Sequence, residues 1–144
     1  MEEKKVNELL YQIRLDLEAS LADDIRKKKV IEILPALDFV LKENSAILVC
    51  QFDAFNNFLK ECEDEGNTNN PLYRWTKDTT QNENKKQKYL KSFTVYIEQS
   101  QLYEKKKADK IESEIKLLNI KKILKINKYN SDPKNNPQPP KKYF

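Results

Sequence analysis

The stretch AILVCQFDAFNNFLKECED, residues 46–64, carries the clearest apolar pattern in the chain. Apolar side chains recur there every three or four residues, which is typical of one face of an α-helix. This apolar stripe comprises Leu48, Phe52, Phe55, Leu59 and Cys62, and it is widened by Ile47 and Phe58. We therefore predict a single helix over residues 46–64 and expect it to form the core of the fold.

The segments before this stretch show a similar spacing of apolar residues. The pattern predicts a helix over residues 3–19 and a second helix over residues 21–34, with one continuous helix through Ser20 as the alternative. Pro35 removes a backbone donor, so we expect the chain to restart there in a short helix over residues 36–43. Together these segments predict a small helical domain over residues 3–65.

The second half of the chain begins after a loop around Gly66, the only glycine in the sequence. Helical spacing of apolar residues resumes at Tyr89 and continues to Ile126, with one thin segment at residues 104–110. This pattern predicts a basic, aromatic-rich helical arm over residues 72–126.

The last part of the chain, residues 127–144, is rich in proline and lysine. Such a composition provides little apolar surface to bury, so we predict a flexible, disordered tail. The predicted fold is therefore all-α: a small helical N-terminal domain, a long basic helical arm and the tail.

The composition excludes several classes of enzyme. A single glycine cannot form a dinucleotide-binding turn, a P-loop or a nucleophile elbow. The absence of histidine removes the commonest general base and most zinc and haem ligands. No carboxylates stand at a diagnostic spacing. We predict no catalytic residues, cofactor or metal, and an independent enzyme is the least favoured of three hypotheses.

Two cysteines, Cys50 and Cys62, make no disulfide framework, and we expect both to be reduced thiols. The longest strongly apolar run, residues 46–50, is far shorter than a membrane span. The first residues resemble no secretory signal. The sequence therefore predicts a soluble intracellular protein with no membrane partner, and it does not distinguish the nucleus from the cytoplasm.

Charge divides the chain at the loop. Residues 1–70 hold 9 basic and 15 acidic groups, a net charge of −6, whereas residues 71–144 hold 18 basic and 8 acidic groups, a net charge of +10. This asymmetry predicts either that the two halves attract each other or that they bind different partners.

The length of the predicted arm favours a protein partner. A helix over residues 82–118 would be about 55 Å long, whereas a globule of this chain length has a diameter of roughly 37 Å. Apolar residues on a projecting helix need cover, which a partner subunit would provide. The alternative is that the helix bends at residues 104–110 and folds back.

The leading hypothesis is therefore a non-catalytic accessory or adaptor subunit that docks onto a larger protein complex. In a variant of this hypothesis, the complex acts on nucleic acid. We expect no small-molecule substrate. The candidate partner-binding residues are Phe52, Phe55, Phe58, Ile111, Ile115, Leu118, Ile123 and Leu124.

The second hypothesis is a DNA- or RNA-binding module that uses the lysine-rich half of the chain. Lysine neutralises phosphates without reading sequence, and the chain has three arginines against 24 lysines, so we expect weak sequence specificity. The candidate nucleic-acid-binding residues are Lys105, Lys106, Lys107, Lys110, Lys121, Lys122, Lys125, Lys128, Arg74 and Trp75.

Overall fold

A computed structural model of the chain describes residues 9–28, 30–131 and 140–143. The first residues of the predicted N-terminal helix, 3–8, and residues 132–139 of the predicted tail lie outside the described residues. The elements in chain order are β1 (Tyr11–Leu17), α1 (Ala19–Lys27), α2 (Val30–Ile33), α3 (Pro35–Glu43), β2 (Ala46–Cys50), α4 (Gln51–Asp64), α5 (Pro71–Gln81), α6 (Glu83–Leu90), β3 (Ser92–Ile97), α7 (Lys105–Leu117), β4 (Ile123–Asn130) and a short 3₁₀ turn (Lys141–Tyr143).

The fold is mixed α/β, so the all-α prediction is wrong. Four strands form one antiparallel sheet in the spatial order β2-β3-β1-β4. Both predicted helical segments, residues 3–65 and 72–126, contribute strands to this sheet. The correction has a local cause in β1 and β3, which alternate apolar and polar side chains, the pattern of a half-buried sheet.

Strand β1 shows this alternation clearly. Its even-numbered residues Gln12, Arg14 and Asp16 are polar, and its odd-numbered residues Ile13 and Leu15 are fully buried.

The prediction of one helix over residues 46–64 is wrong for its first five residues. Residues 46–50 form β2, and the helix α4 begins only at Gln51.

The order of the elements is the split βαβ, or ferredoxin-like, arrangement. Each of two crossovers joins parallel strands that have a third strand between them: β3 lies between β1 and β2, and β1 lies between β3 and β4. Helices α1 and α3 belong to the first crossover and α7 to the second. All three pack on the same face of the sheet and enclose the main core with it.

Residues of the predicted projecting arm pack into the main core, so the structure does not contain such an arm. Ile111 and Ile115 of α7 are 0% and 1% exposed, and they pack with residues of β1 and α3 in one apolar cluster. Leu118 and Ile123 are partly buried against the same cluster. The chain itself therefore shelters these four side chains, and of the apolar residues for which a partner was invoked on the arm it leaves Leu124 exposed.

Helices α4, α5 and α6 form an insertion between β2 and β3, where the basic arrangement needs only a hairpin. The insertion has a small cluster of its own, formed by Leu59, Cys62 and Tyr73 with Phe58 packed against it. Part of the insertion lies over the second face of the sheet, because Ser92 and Thr94 of β3 point to that face and are buried.

Candidate nucleic-acid interface

The structure divides the predicted lysines into two groups. Those on and beside α7 pair with carboxylates: Lys105 with Asp109, Lys107 with Glu98, Lys110 with Glu114, and Lys128 with Asp109 and Glu112. Hydrogen bonds from Lys105 and Lys128 lower the pKa of Asp109, and the bond to Asp109 raises the pKa of Lys128. These contacts compensate the charge of this group, apart from the exposed Lys106.

The second group lies at one end of the sheet, around the beginning of β4. Lys121, Lys122 and Lys125 are exposed, and no ion pair within the described part of the chain includes them. Lys122 contacts the Ser20 hydroxyl at 3.4 Å, and its backbone carbonyl accepts a bond from the Glu18 amide. Three positive charges therefore face solvent here without an ion pair to a described residue, and the nearest carboxylate in the pairing register is Asp16, opposite Lys125.

Lys125 belongs to the second face of the sheet, the face opposite α1, α3 and α7. The pairing register places Lys125 opposite Asp16, Asn127 opposite Arg14, and Tyr129 opposite Gln12. The insertion covers β3 on this face. On β1, Gln12 is buried and Arg14 and Asp16 are half-buried, whereas Lys125 and Tyr129 of β4 are exposed. We call this row of residues, 12, 14 and 16 of β1 with 125, 127 and 129 of β4, the polar face.

A cleft of about 780 Å³ lies between the polar face and the insertion. Its volume is within the range of about 300–1,000 Å³ found for small-molecule sites. The lining residues come from five elements and two connections: Gln12, Arg14, Gln51, Phe55, Leu72, Trp75, Thr76, Thr79, Tyr89, Gln101, Leu102, Tyr129 and Ser131. They include four aromatic rings and one cation, and none of them is acidic.

Among the described residues that line this cleft, Arg14 is the only charged one. Its guanidinium carbon lies 4.6 Å from the centre of the Tyr129 ring, and its Nε donates a 2.6 Å bond to Oε1 of Gln12. Gln12 in turn donates to the backbone carbonyl of Gln101 at 3.0 Å. The guanidinium is thereby held in place, yet no carboxylate among the described residues pairs with it.

Gln51 has an unusual position at the first turn of α4. The residue is only 6% exposed, and its side chain makes no hydrogen bond with a described residue. A buried amide normally has partners, since burying one without them is unfavourable. No fully enclosed side-chain polar atom in the described chain lacks a partner, so the Gln51 amide retains access to the cleft that it lines.

The remaining predicted nucleic-acid residues, Arg74 and Trp75, lie on α5. Trp75 lines the cleft. Arg74 instead donates a hydrogen bond to the backbone carbonyl of Tyr143, whose hydroxyl donates to Asp78 at 2.6 Å. Trp75 therefore lines the same cleft as Arg14 and Gln51, whereas Arg74 anchors the 3₁₀ turn to the insertion.

The predicted partner-binding residues do not form one surface. Ile111 and Ile115 are buried, Phe52 packs against the main core, and Phe58 belongs to the insertion's cluster. Phe55 lines the cleft and makes an edge contact with Tyr89, with ring centres 5.0 Å apart. Among the set, Leu124 stands out because it is 61% exposed.

Arg14, Gln51 and Tyr129 line the cleft but are not among the site residues predicted from the sequence. The signal for Arg14 was present, because the polar residues at positions 12, 14 and 16 alternate with apolar ones and predict one face of a strand. No local pattern indicates that Gln51 and Tyr129 meet the same cleft, because they are 78 positions apart in the sequence.

Comparisons with protein-family models, curated proteins and solved structures found no match. None of the helices in the described ranges combines the length and the apolar character needed to cross a bilayer. Within those same ranges, no three His, Cys, Asp or Glu side chains are grouped so that they could hold a metal ion.

Proposed function

We propose that this protein is a non-catalytic, single-stranded nucleic-acid-binding module with weak sequence specificity. The observation that carries the proposal is the set of uncompensated lysines, Lys121, Lys122 and Lys125, next to a polar face that bears Arg14 stacked on Tyr129. Proteins that bind single strands combine a positive groove for the backbone with aromatic side chains on which bases stack.

The polar face supports single strands over duplexes. Tyr129 offers a half-exposed ring on the edge strand β4, and an unpaired base can stack on such a ring, whereas a base inside a duplex cannot. RNA-recognition modules use a four-stranded sheet in this way, with aromatic residues on the sheet surface. The analogy concerns the surface alone, since β1 here carries Gln12 and Arg14 at the corresponding face.

The test is the salt dependence of binding to a labelled single-stranded oligonucleotide, measured by fluorescence anisotropy. Replacing Lys121, Lys122 and Lys125 together by Gln should weaken binding and reduce the log–log salt slope by about 2, because each phosphate contact on a single strand contributes about 0.7. The matched control replaces Lys105, Lys107 and Lys110 by Gln, which removes the same charge from lysines that are already paired.

We expect the control to retain most of the affinity and the slope of the wild-type protein. Equal weakening by both triple variants would indicate that net charge alone drives binding. Failure of the wild-type protein to bind either DNA or RNA single strands at low salt would reject the proposal.

Docking onto a protein complex is a second candidate function, and exposed leucines favour it. Leu117 at the end of α7 is 82% exposed, and Leu124 at the beginning of β4 lines a shallow groove of about 250 Å³ between β4 and the end of α7. Strand β4 is also an edge strand, which can pair with another chain. A tagged wild-type protein should recover a defined partner that the double variant Leu117→Lys, Leu124→Lys loses; recovery by both would reject this surface.

A further inference from the structure

The cleft beside the polar face has features that the binding of a phosphate backbone does not use. A backbone needs only positive charge within reach, and exposed lysines provide that. The cleft instead presents aromatic walls from Phe55, Trp75, Tyr89 and Tyr129, a buried amide at Gln51, and a positioned guanidinium at Arg14. A ligand that satisfies all three is planar, carries a hydrogen-bonding edge and bears negative charge.

The charge of the cleft favours an anion. Arg14 is the single charged residue among the described residues of its lining, and the acidic residue nearest to it along β1, Asp16, does not line the cleft. Only Nε of the guanidinium bonds within the described chain, which leaves the terminal nitrogens able to donate. Arginine presents these donors in a rigid fork that matches phosphate oxygens.

The Gln51 amide indicates which kind of planar group the ligand carries. A primary amide offers a donor and an acceptor side by side, and the edges of nucleobases present the complementary pair. Because the amide can turn over, it accommodates either order of donor and acceptor, which agrees with weak selection among bases. Gln51 is 6% exposed and its amide bonds to no described residue, so its donor and acceptor are available to a base edge in the cleft.

We propose that the cleft is a nucleotide-binding site, in which the base lies against the aromatic walls with its edge at Gln51 and the phosphate lies at Arg14. The inference rests on the proposed function in one respect: the nucleotide is one unpaired unit of the bound strand. The strand's backbone then continues along the polar face toward Lys125, which lies four residues before Tyr129 on the same face of β4.

Trp75 provides a direct probe, because it is the only tryptophan in the chain and it lines the cleft. The experiment compares three probes on the full chain: a thymidine oligonucleotide, an abasic deoxyribose-phosphate oligomer of equal length, and a nucleoside 5′-monophosphate. Strand affinity is measured by anisotropy, and occupation of the cleft by quenching of Trp75 fluorescence. Gln51→Leu tests the amide, and Gln81→Leu, at the exposed end of α5, is its matched control.

The thymidine strand should quench Trp75 and bind roughly 10-fold more tightly than the abasic strand, because stacking of one base contributes about 1–3 kcal/mol. Gln51→Leu should lower the affinity for the thymidine strand by roughly 10-fold and leave the affinity for the abasic strand unchanged. Gln81→Leu should behave as wild type. If Gln51→Leu does not fold by circular dichroism, Arg14→Met replaces it, with a loss of mononucleotide quenching expected.

Two contrary results separate this inference from the proposed function. Salt-dependent strand binding with no quenching of Trp75, and with equal affinity for both strands, would overturn the nucleotide site and leave the proposed function intact. Quenching by the mononucleotide that depends on Gln51, without binding of any strand, would overturn the proposed function and retain the cleft as a nucleotide site. No quenching by any probe overturns the inference.

Discussion

The Tyr103 hydroxyl joins the two central strands by donating a 2.8 Å hydrogen bond to the backbone carbonyl of Val95 on β3. The same oxygen accepts a 2.7 Å bond from the amide of Ile13, which lies opposite Val95 on β1. Tyr103 is 2% exposed, so this bridge is shielded from water. A side chain from the segment after β3 thus completes the hydrogen bonding at the centre of the sheet.

Tyr103→Phe should destabilise the fold by about 1–3 kcal/mol, because the buried amide of Ile13 and carbonyl of Val95 lose their common partner. The free energy of unfolding in urea, monitored by circular dichroism, measures this loss. Tyr96→Phe is the matched control, since the Tyr96 hydroxyl makes no hydrogen bond with a described residue. Equal stability of the two variants would contradict the bridge.

The bridge also predicts a loss of stability at high pH. Burial raises the pKa of Tyr103 from 10.0 to about 12. The folded state therefore holds this proton more tightly than the unfolded state, so the contribution is complete below pH 10 and is lost as pH rises from 10 toward 12. At about 1.36 kcal/mol per pKa unit, the loss reaches at most about 3 kcal/mol.

Other tyrosines and the lysines also titrate in this range, so the comparison is made against Tyr103→Phe. Unfolding free energies between pH 9 and pH 11.5 should fall more steeply for the wild-type protein than for the variant. Parallel curves would show that Tyr103 does not contribute to the alkaline transition.

The burial of α7 against the sheet predicts which of its apolar residues matter to stability. Ile111→Ala should cost about 2–5 kcal/mol, because the residue is fully buried in the main core. Leu117→Ala, on the same helix but 82% exposed, should change the unfolding free energy by less than about 0.5 kcal/mol. Thermal or urea unfolding of the isolated chain distinguishes the two; equal effects would mean that α7 is not packed as described.

Asp16 is the one carboxylate on the polar face, as defined above by residues of β1 and β4. It lies opposite Lys125 and near the proposed path of the strand, so its charge should oppose a phosphate there. Asp16→Asn should increase the affinity for a single-stranded oligonucleotide about two- to fivefold at low salt, and less at high salt. Glu61→Gln, on the exposed part of α4, serves as the control with the same change of charge; an equal gain would indicate a non-specific effect.

The strands were predicted as helices because some spacings of apolar residues fit both a strand and a helix. Phe93 and Ile97 of β3 lie on one face of a strand, and the same four-residue spacing also fits one face of a helix. The intermediate residue Val95 distinguishes the two, because it is buried in the strand and would lie on the other side of a helix. Helix α4 was predicted correctly from Gln51 onward, where the apolar spacing extends over enough turns to exclude a strand.

The sequence by itself determined the basic second half, the exclusion of glycine- and histidine-dependent chemistry, and the helical character of residues 51–64. Only the tertiary structure decided which lysines remain uncompensated and which residues meet in the cleft. The physical reason is that these contacts depend on strand order and register. Examples are the ion pair between Lys128 and Asp109 and the position of Gln51 in the same cleft as Arg14. Strand order and register are set by long-range packing, and local apolar spacing does not specify them.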